Sequence, residues 1–320
     1  MTTLSPINPP RNSQRQRGAA ILIMTLILML GLITLFTFRM DRKAPELEAD
    51  RKTAMALVQA KEALLGRTAS DAGATPRPGR LLCPDVANQG VSAGGITAGN
   101  CSVLPGGGIP PNAGRIPWKT LRVGDLGDGV GERLWYVLAK EFINDTNPWN
   151  TTTVAPGNPL IAIVGNQPMN RVVAVVVAPG APLPVVGQMR DTAANQNTLA
   201  NYVESYVNST TINTAVPSTA YNDRILTITA AEVFSIATQR VAGDLANWSL
   251  PPYTPPTLPG GPPLSNLAKP QVWTINNWDD AVDNTNSSVT TSTITLKFQN
   301  CAIIFTITGP GSVLRSAKSC

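Results

Sequence analysis

The sequence predicts an α+β protein: a long N-terminal transmembrane helix continuing into a globular head with antiparallel β-sheet, short helices and disulfide-stapled loops. Three observations carry this reading. Residues 19–38 form one apolar run, residues 46–65 extend it with strong helix formers, and the rest mixes β-branched runs with four cysteines, 26 Gly and 28 Pro. Such a Gly and Pro content, above the roughly 12% of average usage, marks a loop-rich head.

Residues 1–18 are basic, with Arg11, Arg15 and Arg17 and no acid. The run that follows, with Ala19 and Phe38 at its ends, carries no charge and nothing more polar than three Thr. At 1.5 Å per residue, twenty helical residues cover about 30 Å, the thickness of a bilayer's hydrocarbon core. Secretory signal peptides have a shorter apolar stretch, of about 7 to 15 residues, and a small-residue cleavage site, so the run reads as a membrane anchor. Arg39, Arg42 and Lys43 close it, with Asp41 among them. These two flanks account for the whole net charge of +5, leaving residues 44–320 neutral and without a basic face for nucleic acid.

Beyond Pro45, which is expected to kink the helix, residues 46–65 are rich in Glu, Ala, Leu and Lys, and Gly66 is placed to cap them. Leu57, Ala60 and Leu64, and Leu47, Ala54 and Val58, recur at helical spacing, giving a stripe that can lie on a domain. The chain therefore divides into a basic leader (1–18), a transmembrane and extended helix (19–66), an α+β head (67–250), a Pro-rich connector (251–265) and a C-terminal β-hairpin element (266–320).

Within the head, a helix is expected over residues 132–142, paired buried strands at 160–164 and 172–177, a polar helix over 192–207 and a strand at 225–228. Thr229 and Glu232 have capping-box spacing before a helix running to about Ala246, with Val233, Ile236, Ala237 and Val241 on its inner face. Residues 291–298 and 301–308 read as a hairpin.

Several function classes are excluded by residue type. With no His there is no Ser-His-Asp triad, no Cys-His dyad and no His-containing zinc site. Gly127, Gly129 and Gly131 are not followed by Lys-Ser/Thr, which sets aside a phosphate loop. The four cysteines, Cys83, Cys101, Cys301 and Cys320, are even in number and contain no Cys-X-X-Cys, which favours disulfides over a metal site. Three pairings are possible; Cys83 with Cys101 and Cys301 with Cys320 are nearest in sequence. Paired thiols put residues 44–320 in an oxidising compartment, which fixes an orientation that Lys/Arg counts on the two sides of the anchor leave open.

The segment Arg15-Gln16-Arg17-Gly18 followed by Ala19-Ala20-Ile21-Leu22-Ile23 resembles the N-terminus of type IV pilin-like precursors. The resemblance implies cleavage between Gly18 and Ala19 by a prepilin peptidase, N-methylation of Ala19, and a filament packed through the apolar helix. Ile23 stands where major pilins usually carry Glu, which resembles minor pilins and the large tip-type pseudopilins of type II secretion systems. Leu82-Cys83-Pro84-Asp85, Ile116-Pro117-Trp118-Lys119-Thr120-Leu121 and Gly131-Glu132-Arg133-Leu134-Trp135-Tyr136 resemble a pattern recurring in pilin-like proteins of Gram-negative bacteria, so that the likeness covers about residues 15–142. It implies a non-enzymatic structural subunit of a pilus or secretion pseudopilus, a minor or tip component. Its partners would be the membrane, other pilin-like subunits, the peptidase and an inner-membrane assembly platform. The head would lie in the periplasm of a single-pass inner-membrane protein, and in an extracellular filament after assembly. A bond from Cys301 to Cys320 would resemble the disulfide-bounded C-terminal region of pilins.

No cofactor is implied, with calcium as the one candidate: Asp279, Asp280 and Asp283, beside Asn284, offer the hard oxygen ligands that some pseudopilins use. Their spacing does not match a calcium-loop motif, and a solvated turn is the plainer reading. The competing function is a membrane-anchored periplasmic binding protein or hydrolase that keeps its N-terminal anchor uncleaved.

Overall fold

The computed structural model describes residues 14–70, 77–93, 101, 110, 112–143, 160–249, 271–277, 282–287, 292–298, 301–309 and 312–319. The chain forms two compact units, Met1–Arg51 and Lys52–Cys320.

Helix α1 runs over Gln14–Ser70 and continues through Pro45 and Gly66, so Gly66 is an interior residue and not the cap expected of it. Among the described residues, no helix is long and apolar enough to cross a membrane, which overturns the transmembrane element of the expected fold class. The apolar side chains that are described occupy residues 20–34, and the next described ones, from Pro45 to Arg51, include Glu46, Glu48, Asp50 and Arg51.

In the second unit the elements follow as β1 (Ala113–Arg115), α2 (Trp118–Leu121), β2 (Trp135–Leu138), β3 (Ile161–Gly165), β4 (Met169–Ala178), α3 (Ala193–Gln196), β5 (Tyr206–Asn208), β6 (Thr211–Thr214), β7 (Arg224–Thr229) and α4 (Ala230–Ser249). After them come α5 (Gln271–Asn276), β8 (Val282–Ser287), β9 (Ser292–Phe298), β10 (Cys301–Gly309) and β11 (Ser312–Ser319). The larger sheet has the order β1-β2-β4-β3-β6-β5, with β7 also paired to β4. It is mixed, because β3 and β6 run parallel, and the purely antiparallel sheet expected from sequence is corrected accordingly. The physical reason is the excursion of residues 179–205, which contains no strand and leads into β5; the chain then turns back antiparallel into β6, which thereby runs in the direction of β3. At the end of that parallel pair Gly165 has φ +105°, and a Cβ there would meet the Thr214 carbonyl oxygen at 2.0 Å.

The core is built on β4. Val172, Val173, Ala174, Val175, Val176 and Val177 are all fully buried, on both faces of the strand. Trp135, Tyr136, Val137 and Leu138 are equally buried, and here the expected helix over 132–142 is replaced by β2 followed by a 3-10 turn, Lys140–Phe142. A strand covered on both faces shows no alternation, so periodicity could not distinguish it from a helix. The helix expected over 192–207 is likewise only the one-turn α3, a 3-10 turn at Leu199–Asn201 and β5.

Residues 52–70 of α1 are fixed in this unit by Thr53, Ala56, Leu57, Ala60, Leu64 and Thr68, a buried stripe at helical spacing, while Val58 is exposed. Lys61 Nζ donates to the Thr227 carbonyl at 2.9 Å and to Glu232 Oε1 at 2.6 Å. Glu232 also closes the predicted capping box of α4: its Oε2 accepts from the Thr229 amide at 2.8 Å, and its amide donates to Thr229 Oγ1 at 3.3 Å. Burial opposes ionisation of Glu232, but Lys61 and Thr229 outweigh it and leave its pKa lowered. Along α4, Val233, Ala237 and Val241 are buried as expected, joined by Phe234 and Ala242, whereas Ile236 is half-buried. The expected hairpin is β9 and β10, paired with Phe298 opposite Cys301, and β8 and β11 extend it to a four-stranded antiparallel sheet. Helix α4 touches β4 and β7 of the larger sheet and β10 and β11 of the smaller.

Cys83 and Cys101 form a disulfide across a sequence separation of 18. A closed loop of that size contributes about 3 kcal/mol in the chain-entropy model. Replacing both cysteines by Ser is expected to lower the unfolding free energy of the head by that amount and, because the unfolded chain is then less constrained, to steepen its unfolding curve, measured by urea denaturation.

Candidate functional site

The first unit presents a surface that water does not favour. Every described side chain from residue 20 to residue 34 is exposed, including Ile21 at 66%, Leu22 at 69%, Met24 at 74% and Ile33 at 57%. Consecutive helical residues point in all directions, so the exposed apolar surface surrounds the helix. Covering one such Leu or Ile contributes about 1.5–3 kcal/mol. The hydroxyls in the stretch are satisfied within the helix: Thr25 Oγ1 donates to the Leu22 carbonyl at 3.0 Å, and Thr34 Oγ1 is 2.9 Å from the Leu30 carbonyl oxygen. Polar groups bonded in this way can enter an apolar environment at little cost. At Gly31 a Cβ would meet nothing within 4 Å, which leaves a shallow notch in the helix surface.

The expected processing and anchor residues, Gly18, Ala19 and Phe38, lie on α1, which fixes their backbone; their side chains are outside the described residues. Cys83 and Cys101 are joined, as stated. Cys320 and the side chain of Cys301 lie outside the described residues, as do Asp279, Asp280 and the side chain of Asp283, whose backbone is in β8. Among the described residues no group of His, Cys, Asp and Glu could hold a metal ion. The glycine-rich turn at 127–131 has its amides occupied: Gly129 donates to Thr53 Oγ1 at 2.8 Å, and Val130 and Glu132 donate to Asp128 Oδ1 at 3.0 and 2.9 Å. Donors already used in the fold leave no cradle for phosphate.

A second constellation, on the head, was not anticipated. Arg190 ties together three segments: it pairs with Glu132 at 3.0 Å, donates to the Gly180 and Asn201 carbonyls at 2.8 Å each, and reaches Gln188 Oε1 at 3.2 Å. Its guanidinium carbon is 4.2 Å from the Tyr202 ring centroid. Gln188 Nε2 in turn donates to Glu204 Oε1, and Glu204 Oε2 accepts from the Asn222 amide at 3.3 Å. Beside it Asp223, 5% exposed, accepts from the Ser205 amide at 2.7 Å. Burial, and then the charge of Glu204, raises the Asp223 pKa well above the usual carboxylate range. Tyr221 is pushed up to about 12 by burial and by Asp223.

No protein-family profile, curated protein or solved structure matches the chain.

The residues of the second constellation are scattered between positions 132 and 223, and nothing in their local sequence marks them. The only signal available was the presence of isolated charges in short β-prone segments. Chemically the carboxylate pair is suited to holding a proton between loops, since burial and a neighbouring charge both favour the neutral form of Asp223.

This has a pH consequence of definite sign. A carboxyl group whose pKa is raised by folding stabilises the native state below its unfolded value of 3.8, and that contribution is lost as pH rises through the folded value. Asp223→Asn keeps an acceptor for Ser205 and removes the ionisation. It is expected to change Tm little at pH 3.5 and to raise it by about 2–4 °C at pH 8, followed by thermal melts. Equal destabilisation at both values would show that ionisation of Asp223 is not what the fold resists.

Proposed function

We propose that this protein is a pilin-like structural subunit, processed after Gly18 and assembled with copies of itself or with other pilin-like chains through its apolar N-terminal helix, as a minor or tip component. The observation that carries the reading is the uncharged helical surface over residues 20–34, exposed all round and with its Thr hydroxyls satisfied internally. Contiguous apolar surface of this extent marks an interaction site. Parallel apolar helices of neighbouring subunits cover such a surface on every side, which one flat docking face does not. The basic leader ending in Gly18 supplies a second argument, since it resembles the precursor motif of that family. The disulfide between Cys83 and Cys101 fits a head working in an oxidising compartment such as the periplasm.

Two measurements test this. Mass analysis of full-length protein co-expressed with a prepilin peptidase is expected to show loss of residues 1–18 and a methylated Ala19, and Gly18→Val, which places a β-branched side chain at the cleaved bond, is expected to block both. An intact N-terminus in the wild type would instead favour the anchored binding protein or hydrolase. Separately, Ile27→Asp puts a charge on a residue that is 62% exposed. It is expected to abolish cross-linked multimers while leaving the Tm of the head unchanged, and multimers that persist would rule out assembly through this helix.

A further inference from the structure

Arg115, at the end of β1, is only 4% exposed. A guanidinium in such a position costs several kcal/mol unless an anion faces it. Its Nη2 donates to the Gln196 carbonyl, and its guanidinium carbon lies 4.6 Å from the Trp135 ring centroid and 5.1 Å from that of Tyr202. Among the described residues its Nη1 has no hydrogen-bond partner, and neither has Nε1 of the fully buried Trp135 beside it. Burial pulls the Arg115 pKa down, with Tyr202 and Asp85 acting against it. Asp85, however, already uses both oxygens, on the Ala87 and Gly90 amides at 3.0 and 2.5 Å. Arg190 makes a useful contrast, because it faces the same Tyr202 ring but has Glu132 as counter-charge and all three of its nitrogens bonded.

We infer that Arg115 and Trp135 form a binding site for a small monoanionic carboxylate, walled by the ring of Tyr202. Water can serve an indole N–H, but it supplies no charge opposite the guanidinium. A positive charge met only by Asp85, whose oxygens are already held by backbone amides, together with the two unsatisfied donors Nη1 and Nε1, matches a single carboxylate; a phosphate dianion needs more donors and a second cation. The aromatic walls favour a ligand with a flat or apolar body.

Access runs through the segment that covers Arg115. Residues 191–194 and 196 are exposed, and the bonds of this segment are largely its own. The Asn195 amide donates to Thr192 Oγ1 at 3.2 Å, Asn195 Nδ2 to Asp191 Oδ1 at 2.6 Å, and Thr198 Oγ1 to the Ala194 carbonyl at 3.0 Å. The bond joining it to β1 is the one from Arg115 to the Gln196 carbonyl. Displacing that carbonyl frees Nη2 as a further donor without disturbing the segment's internal structure.

The test is calorimetric titration of the full chain, purified in mild detergent, with sodium benzoate, benzamide and inorganic phosphate, accompanied by thermal melts. Benzoate is expected to saturate and to raise Tm. Benzamide, of the same shape without the charge, controls for partition onto the apolar helix and is expected to do neither, and phosphate is expected to bind at least tenfold more weakly. Arg115→Lys keeps the charge and loses the planar fork, and should weaken benzoate at least tenfold. Trp135→Phe keeps a ring and loses the N–H, should weaken it severalfold, and decides the matter if Arg115→Lys does not fold. The inference is overturned if benzoate does not saturate on the folded wild type, if benzamide matches it, if phosphate is preferred, or if affinity is unchanged in the folded variants.

Discussion

Strand β4 is the member on which the second unit depends. It pairs with β2, β3 and β7, and its six residues from Val172 to Val177 are sealed from water on both faces. Each Val buried in this way contributes about 1.5–3 kcal/mol, and each carries backbone groups that only neighbouring strands can satisfy. The neighbours are therefore obligatory, and they determine what else is brought together. Pairing with β2 places Trp135 and Glu132 near the end of β4, pairing with β7 brings Asp223 to the same end, and the Gly180 turn that leaves β4 gives Arg190 its carbonyl.

What the sequence disclosed follows from this arrangement. Elements with one wet face were legible: the buried stripe Leu57, Ala60 and Leu64 of α1 and the inner face of α4 show their period because exposed residues such as Val58 and Gln239 lie on the other side. β2, sealed on both sides, has no period to show and reads as helix, whereas β4, sealed in the same way, is legible as a strand from its run of β-branched residues. The parallel pairing of β3 with β6 depends on how the chain crosses residues 179–205, which no local pattern encodes. The cluster around Arg115, Arg190 and Tyr202 was illegible for the same reason, since its members meet only after that crossing. Cys83 and Cys101, by contrast, are close enough in sequence for proximity alone to suggest them.

The two units pose opposite problems. In the second, charges are scarce, and the buried Arg190 is held by a specific partner, Glu132. In the first, apolar side chains at residues 20–34 have no partner within the chain's own described structure, and the free energy of covering them is available to whatever binds there.

Glu232 serves two masters: one oxygen receives Lys61 from α1 and the other receives the backbone that starts α4. These tasks are thermodynamically linked. Drawing Lys61 away leaves only Thr229 to hold the carboxylate, and fraying of the first turn of α4 weakens the hold on Lys61, so residues 52–70 of α1 and the start of α4 are coupled through one side chain.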